Sequence, residues 1–291
     1  MAILDRNPAV PAPAAIHVVA KDVAKGYPGV QALAQISFSV SPGERVALAG
    51  PSGSGKTTLL YLLAGLLQPD AGKLSIDGRD LGELKPGRDL SQLVGMVHQQ
   101  YDLVSSLPVI HNVLAGRLGQ WSLVSSALSL VWPRERHLAE DALARLGIAD
   151  KLNQRTSRLS GGEQQRVAIA RLMVQSPRII LADEPVSSLD PALAEEMMRL
   201  LVDLVEAVNP RVEAVPWAGG IPANPRVEGS GKTLIASLHS PYLIKKYCTR
   251  VIGLRHGEMQ FDLPAADLTE AVLDRLYDLE RHPQPRSVQE E

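Results

Sequence analysis

A single cysteine, Cys248, stands in 291 residues. It excludes an internal disulfide and a cysteine-only zinc site, and it is consistent with a reduced, cytoplasmic location. Nor does one sign of charge dominate. Lys+Arg 30 against Asp+Glu 32 leaves a formal net charge of -2, which argues against a protein that coats nucleic acid. No run reaches the roughly 20 apolar residues that cross a bilayer. The most apolar candidate, WSLVSSALSLVW at Trp121 to Trp132, is short and interrupted by four serines. The start, MAILDRNPAVPAPAA, lacks the basic region and long apolar core of a signal peptide. These absences predict a soluble chain with a flexible leader over 1–15, a solvated tail over 281–291, and any membrane role supplied by a partner.

The 45% hydrophobic composition suffices for one large domain or two modest ones. Ile16 to Val23 and Ile36 to Val40 alternate like strands around a turn at Tyr27-Pro28-Gly29. RVALA at Arg45 to Ala49 predicts a buried strand, and Thr57 to Leu67 a helix closing near Gln68-Pro69-Asp70. Lys73 to Ile76 predicts a further strand. From Ser91 to about Ser157 the pattern becomes helical, most clearly in HLAEDALARLGI at His137 to Ile148. Arg178 to Ala182, Thr233 to Leu238 and Arg250 to Leu254 predict strands; Pro191 to Val208 and Leu268 to Leu279 predict helices. Strand–helix alternation of this kind predicts an α/β chain with a parallel sheet covered by helices. Residues 209–231 form a long Pro/Gly-rich insertion in which NPRVE occurs twice, at Asn209 to Glu213 and Asn224 to Glu228. It suits a tolerated surface excursion or a docking element anchored by Trp217.

Chemistry concentrates in three places. Gly50-Pro51-Ser52-Gly53-Ser54-Gly55-Lys56-Thr57, followed by Thr58, satisfies G-x-x-x-x-G-K-[ST] between a predicted strand and a predicted helix. Its glycines let consecutive N–H groups turn toward nucleotide phosphates, Lys56 supplies a charge for the β/γ oxygens, and Thr57 a hydroxyl for Mg²⁺. Gly229-Ser-Gly-Lys232-Thr233 resembles the end of that motif, but position 226 is Arg and a strand follows, so it reads as loop chemistry. IILADE, Ile179 to Glu184, ends an apolar strand in two carboxylates. Asp183 is placed to hold the metal and Glu184 to deprotonate the attacking water. Finally, LSGGEQQR at Leu159 to Arg166 puts a serine and two glycines before an amphipathic run, a helix start suited to a second anion.

Together with Ser187 to Asp190 and SLH at Ser237 to His239, these motifs resemble, in order, the ATP-binding subunits of ABC transporters. The resemblance covers about Ile16 to Leu279. It implies one ATPase domain over 16–280: a P-loop NTPase core with a parallel sheet, an N-terminal antiparallel β subdomain, and a helical subdomain inserted at about 100–165. It further implies that Tyr27 stacks on adenine, that Gln99 senses Mg²⁺ and water and contacts a permease, and that His239 is a switch reaching the γ-phosphate. Asp190 then couples two sites. Ser160, Gly161 and Gly162 face ATP held by a second copy of the chain in a head-to-tail dimer. ATP and Mg²⁺ are the implied cofactors, and membrane permease subunits and indirectly a solute-binding protein the partners. No nucleic acid is expected, and the implied location is the cytoplasmic face of the bacterial inner membrane.

His98 to Lys151 and RVIGLRHGEMQFD, Arg250 to Asp262, look similar to phosphonate-importer ATPases, although His98 stands where many relatives have Phe. The solute reading is analogy, since the ATPase never touches the solute. The alternative is a cassette-like accessory or scaffold protein of phosphonate metabolism acting without a permease. Ribosome-directed relatives carry two cassettes in one chain and DNA-repair relatives a long coiled coil; neither feature occurs, and no acceptor site suggests a kinase.

Overall fold

The computed structural model describes residues 17–84, 87–98, 101–129, 132–187, 189–206 and 231–277. Its strands are Val18–Tyr27 (β1), Val30–Val40 (β2), Arg45–Ala49 (β3), Ala71–Ile76 (β4), Arg79–Asp80 (β5), Val94–Val97 (β6), Ile179–Ala182 (β7), Thr233–Ser237 (β8), Arg250–Arg255 (β9) and Glu258–Pro264 (β10). The helices are Lys56–Leu63 (α1), Arg88–Leu93 (α2), Val109–Leu114 (α3), Leu123–Ser129 (α4), Arg136–Arg145 (α5), Gly161–Gln175 (α6), Pro191–Glu206 (α7), Pro241–Tyr247 (α8) and Glu270–Tyr277 (α9).

The larger sheet has the order β10-β9-β3-β8-β7-β6, parallel except for the antiparallel β10 at its edge. Its middle strands are apolar along their length because both faces are covered. The period of two assigns alternate residues to two cores. Val46, Leu48, Leu181, Ile235 and Ile252 pack with Leu33 of β2 and Leu59 of α1. Ala47, Ala49, Ala182 and Ala236 face the other way, into the core that holds Leu172 of α6 and Met198 of α7. Small side chains on that face let the two long helices lie close to the sheet. The smaller sheet, β2-β1-β4-β5, is antiparallel, and α3, α4 and α5 follow β6 before α6 leads back to the main sheet at β7. This is the expected α/β architecture.

Two helices end earlier than their periodicity predicts. α1 stops at Leu63 because Gly65 takes φ +67, with Leu66 N–H donating back to the Tyr61 carbonyl at 2.9 Å. α5 stops at Arg145 in the same manner, with Gly147 at φ +70 and Ile148 N–H on the Leu143 carbonyl at 3.0 Å. Both are glycine-closed C-termini, in which the left-handed residue satisfies the last carbonyls. The leader, the tail and residues 209–230 of the insertion lie outside the described residues.

Cys248 caps α8 and is 7% exposed. Burial pushes its thiol up to about 12, opposed in part by the charge of Arg45. The thiolate is the reactive form. Cys248 is therefore expected to resist a water-soluble disulfide reagent at pH 8 while the chain is folded and to react once it is denatured. Rapid reaction of the native protein would contradict this placement.

Candidate active site

β3 delivers the chain into the glycine-rich loop at the C-terminal edge of the parallel sheet. Gly50 has φ +150, and a Cβ there would lie 2.1 Å from the Leu254 carbonyl oxygen. Gly55, the N-cap of α1, has φ +103, and its Cβ would lie 2.4 Å from the Ala32 carbonyl oxygen. Only glycine fits at either position, because neighbouring backbone leaves no room for a side chain. Gly53, also at positive φ, is open to solvent with Ser52 beside it. Ser54 is buried under the loop, so only its backbone can serve a ligand there.

Lys56 is 5% exposed, and its ammonium donates to the Gly50 carbonyl at 2.8 Å and the Pro51 carbonyl at 2.9 Å. Burial pulls its pKa down, while the charges of Glu184 and Asp183 oppose the shift. The loop thus holds a buried cation next to two carboxylates. That field favours an anion brought to the loop's open side.

Strand order assembles the rest. β8 lies between β3 and β7, so the end of β8 faces both the loop and the two carboxylates. Asp183 Oδ1 accepts from Thr57 Oγ1 at 3.2 Å and from Ser237 Oγ at 2.9 Å. Ser237 Oγ also accepts from the Glu184 N–H at 2.7 Å. Glu184 sits at φ +46, a left-handed conformation that costs about 1 kcal/mol for a residue with a side chain. Its carboxylate Oε1 lies 3.1 Å from His239 Nε2. Lys56, Thr57, Asp183, Glu184 and His239, predicted from separate segments, therefore converge. A carboxylate held against an imidazole at this distance can accept a proton and share it.

Two participants escaped sequence reasoning. Ser237 is fully buried and bridges both carboxylate residues; its only signal was its place before Leu238-His239 at a strand end. Tyr277 accepts from the Gly50 N–H at 3.3 Å, tying α9 to the loop across 227 residues with no local signal. Asp190, expected to couple two sites, caps α7: its Oδ1 accepts from the N–H groups of Ala192 and Leu193, both at 3.0 Å. Tyr27 is 45% exposed at the end of β1, an accessible aromatic face. Gln99 lies outside the described residues. Just beyond it, Arg171 of α6 donates to the Tyr101 and Asp102 carbonyls at 2.9 Å each.

Ser160 stands apart from this cluster. It caps α6, and Gly161 and Gly162 form the helix's first turn. A Cβ on Gly161 would meet nothing within 4 Å. The cavity beside it, about 430 Å³, is lined by Lys151, Ser160, Glu163 and Arg166 among others and by no residue of the phosphate loop. Among the described residues no hydrogen bond joins Ser160, Gly161 or Gly162 to residues 50–58.

Residues 33–187 match the family described as ABC transporter. A phosphonates import ATP-binding protein of Pseudomonas aeruginosa is 45% identical over 251 residues, 86% of each chain. One from Pseudomonas putida is 41% identical over 266 residues, 91% of this chain and 90% of the relative. Among solved structures, a dimeric ATP-binding cassette in a post-hydrolysis state bound to ADP and Pi superposes with TM-score 0.62 at 28% identity, covering 85% of this chain and 98% of the other. A nucleotide-free cassette from an ABC transporter gives TM-score 0.68 at 21% identity, covering 94% and 98%.

Proposed function

This chain belongs to the ABC transporter family, and from that membership we propose that it is the ATP-hydrolysing subunit of an importer for phosphonate or a related oxyanion. ATP closes two copies into a head-to-tail dimer, and the closure drives a separate permease. The observation that carries this reading is the separation inside one chain: the phosphate loop and its carboxylates form one cluster, and the Ser160 helix start forms another. A second copy brings the two together, each chain supplying half of each site. The open space at Gly161 supports a partner's phosphate approaching that backbone.

Within the site, the loop's backbone N–H groups after Pro51 and the Lys56 ammonium bind the phosphates, and Tyr27 offers its exposed ring to the base. Thr57 and Asp183 converge as hard oxygen donors, and no group of three or more His, Cys, Asp or Glu side chains that could hold a metal occurs among the described residues. That donor set suits Mg²⁺, which takes one or two protein oxygens and completes its shell with phosphate and water. Thr57, Asp183 and Gln99 would hold it, and bound Mg²⁺ would neutralise charge on the β and γ oxygens. Glu184 accepts the proton of the attacking water, His239 orients Glu184 and reaches the γ-phosphate, and Ser237 fixes the Glu184 backbone.

A groove of about 300 Å³ beside β6 supports permease docking. Leu66, Leu90, Met96 and His98 line it, with Leu66 60% exposed. No described helix is long and apolar enough to cross a membrane, so attachment to the cytoplasmic face of the inner membrane runs through the permease. The relatives' shared role in phosphonate import supports the solute class.

The test is isolation from solubilised native membranes followed by reconstitution in liposomes. The chain is expected to copurify with a permease, and methylphosphonate is expected to stimulate ATPase activity more than phosphite or phosphate. Stimulation by phosphate alone would reassign the solute. Absence of any permease would favour the accessory reading.

A further inference from the structure

The anion end of α6 is already engaged by an anion of its own chain. Glu163 Oε2 accepts from the Ser160 N–H at 2.8 Å and from the Ser160 hydroxyl at 3.0 Å. In return the Glu163 N–H donates to Ser160 Oγ at 3.3 Å. This is a capping box, but it has a second consequence at this position. A serine hydroxyl has one proton to donate, and here it points at a carboxylate. The Ser160 N–H points there too. Both donors are therefore committed to Glu163, and an incoming phosphate oxygen must displace it to use them.

The other carboxylate oxygen has a partner waiting. Glu163 Oε1 lies 3.3 Å from Lys151 Nζ, which is equally close to Asp150 Oδ2. Both Lys151 and Glu163 line the cavity beside Ser160, so the side chain has room to turn toward the lysine without disturbing the helix. Gly162 lines the same cavity; a Cβ on Gly161 would meet nothing within 4 Å, and one on Gly162 only Leu193 Cδ2 at 3.9 Å.

We propose that Glu163 is a built-in competitor for the ATP phosphate brought by the second copy, and that Lys151 is the positioning residue that draws the carboxylate aside when the phosphate arrives. The competition raises the ATP concentration needed to close the dimer. It rests on the trans-site reading above and is tested so that the two fail separately.

Glu163→Gln removes the charge while its amide oxygen still accepts from the Ser160 N–H, so the cap survives. Dimer formation is followed by light scattering against MgATP in the Glu184→Gln background, where hydrolysis does not deplete the ligand. Adding Glu163→Gln is expected to lower the ATP concentration for half-maximal dimer by about tenfold, because each dimer contains two such ends. Lys151→Met alone is expected to raise it severalfold, and to have little effect once Glu163→Gln is present. Thermal midpoints measured without nucleotide should stay within about 3 °C of one another, so that a shift in the ATP requirement reports the competition at Ser160 and not a change in the stability of the fold. Ser160→Arg in the same assay tests the underlying reading. If it closes with ATP like its parent, the trans site itself is wrong. If it blocks closure while Glu163→Gln leaves the ATP requirement unchanged or raised, the competitor is wrong and the trans site stands.

Discussion

Glu184→Gln is expected to lower kcat by about 10²- to 10⁴-fold, the range a positioned general base supplies, while MgATP binding persists. The substitution preserves the shape of the side chain and removes only its ability to take a proton. The geometry that aims Glu184 does not depend on its charge: the Ser237 hydroxyl holds its backbone N–H, and the left-handed φ turns the side chain toward His239. The groups that hold phosphate are elsewhere, on the loop and Lys56. Binding without turnover then accumulates the closed state. Size-exclusion chromatography with MgATP should show the variant eluting at the dimer position and the parent mostly as monomer. A variant that stays monomeric and hydrolyses ATP at the parental rate would remove Glu184 from the chemistry.

The parts of this site that could be read from sequence are those whose meaning is local. The phosphate loop is legible because its glycines, lysine and threonine are contiguous and its flanks, a buried strand and a helix, are contiguous with it. Asp183 and Glu184 are legible because an apolar strand that ends in carboxylates has few other uses beside such a loop. Ser237 is different. Its bridge between Asp183 and Glu184 exists only because β8 is inserted between β3 and β7, and strand order is a nonlocal property that no spacing encodes. Tyr277 is the same case at longer range.

The errors in element boundaries have another origin. The apolar periodicity of Thr57 to Leu67 and of His137 to Ile148 runs past the true helix ends. Gly65 and Gly147 carried the stop signal, and the pattern of apolar residues outweighed it. β10 was missed because EMQFDLP lies at a sheet edge with mostly exposed side chains, so burial stamped little alternation on it. The Ser160 helix start was legible as an anion site, but its separation from the loop was visible only in three dimensions.

That separation makes the second large effect sharp. Ser160→Arg is expected to abolish steady-state hydrolysis and to leave ATP binding to the isolated chain within about threefold of the parent, since loss of a cap costs the fold only about 1 kcal/mol. Lys56→Ala is expected to abolish hydrolysis by the other route, through loss of binding to its own loop. Each variant is inactive alone, but a symmetric two-fold dimer gives the pair a distinctive signature. In a mixed dimer the loop of the Ser160→Arg copy is completed by the intact Ser160 of the Lys56→Ala copy, so one site is whole and both defects fall in the other. With random pairing about half of the dimers are mixed, each with one working site of two, so equimolar mixing should restore about a quarter of parental activity. If Ser160 served the loop of its own chain, every site in every dimer would carry a defect and the mixture would stay inactive.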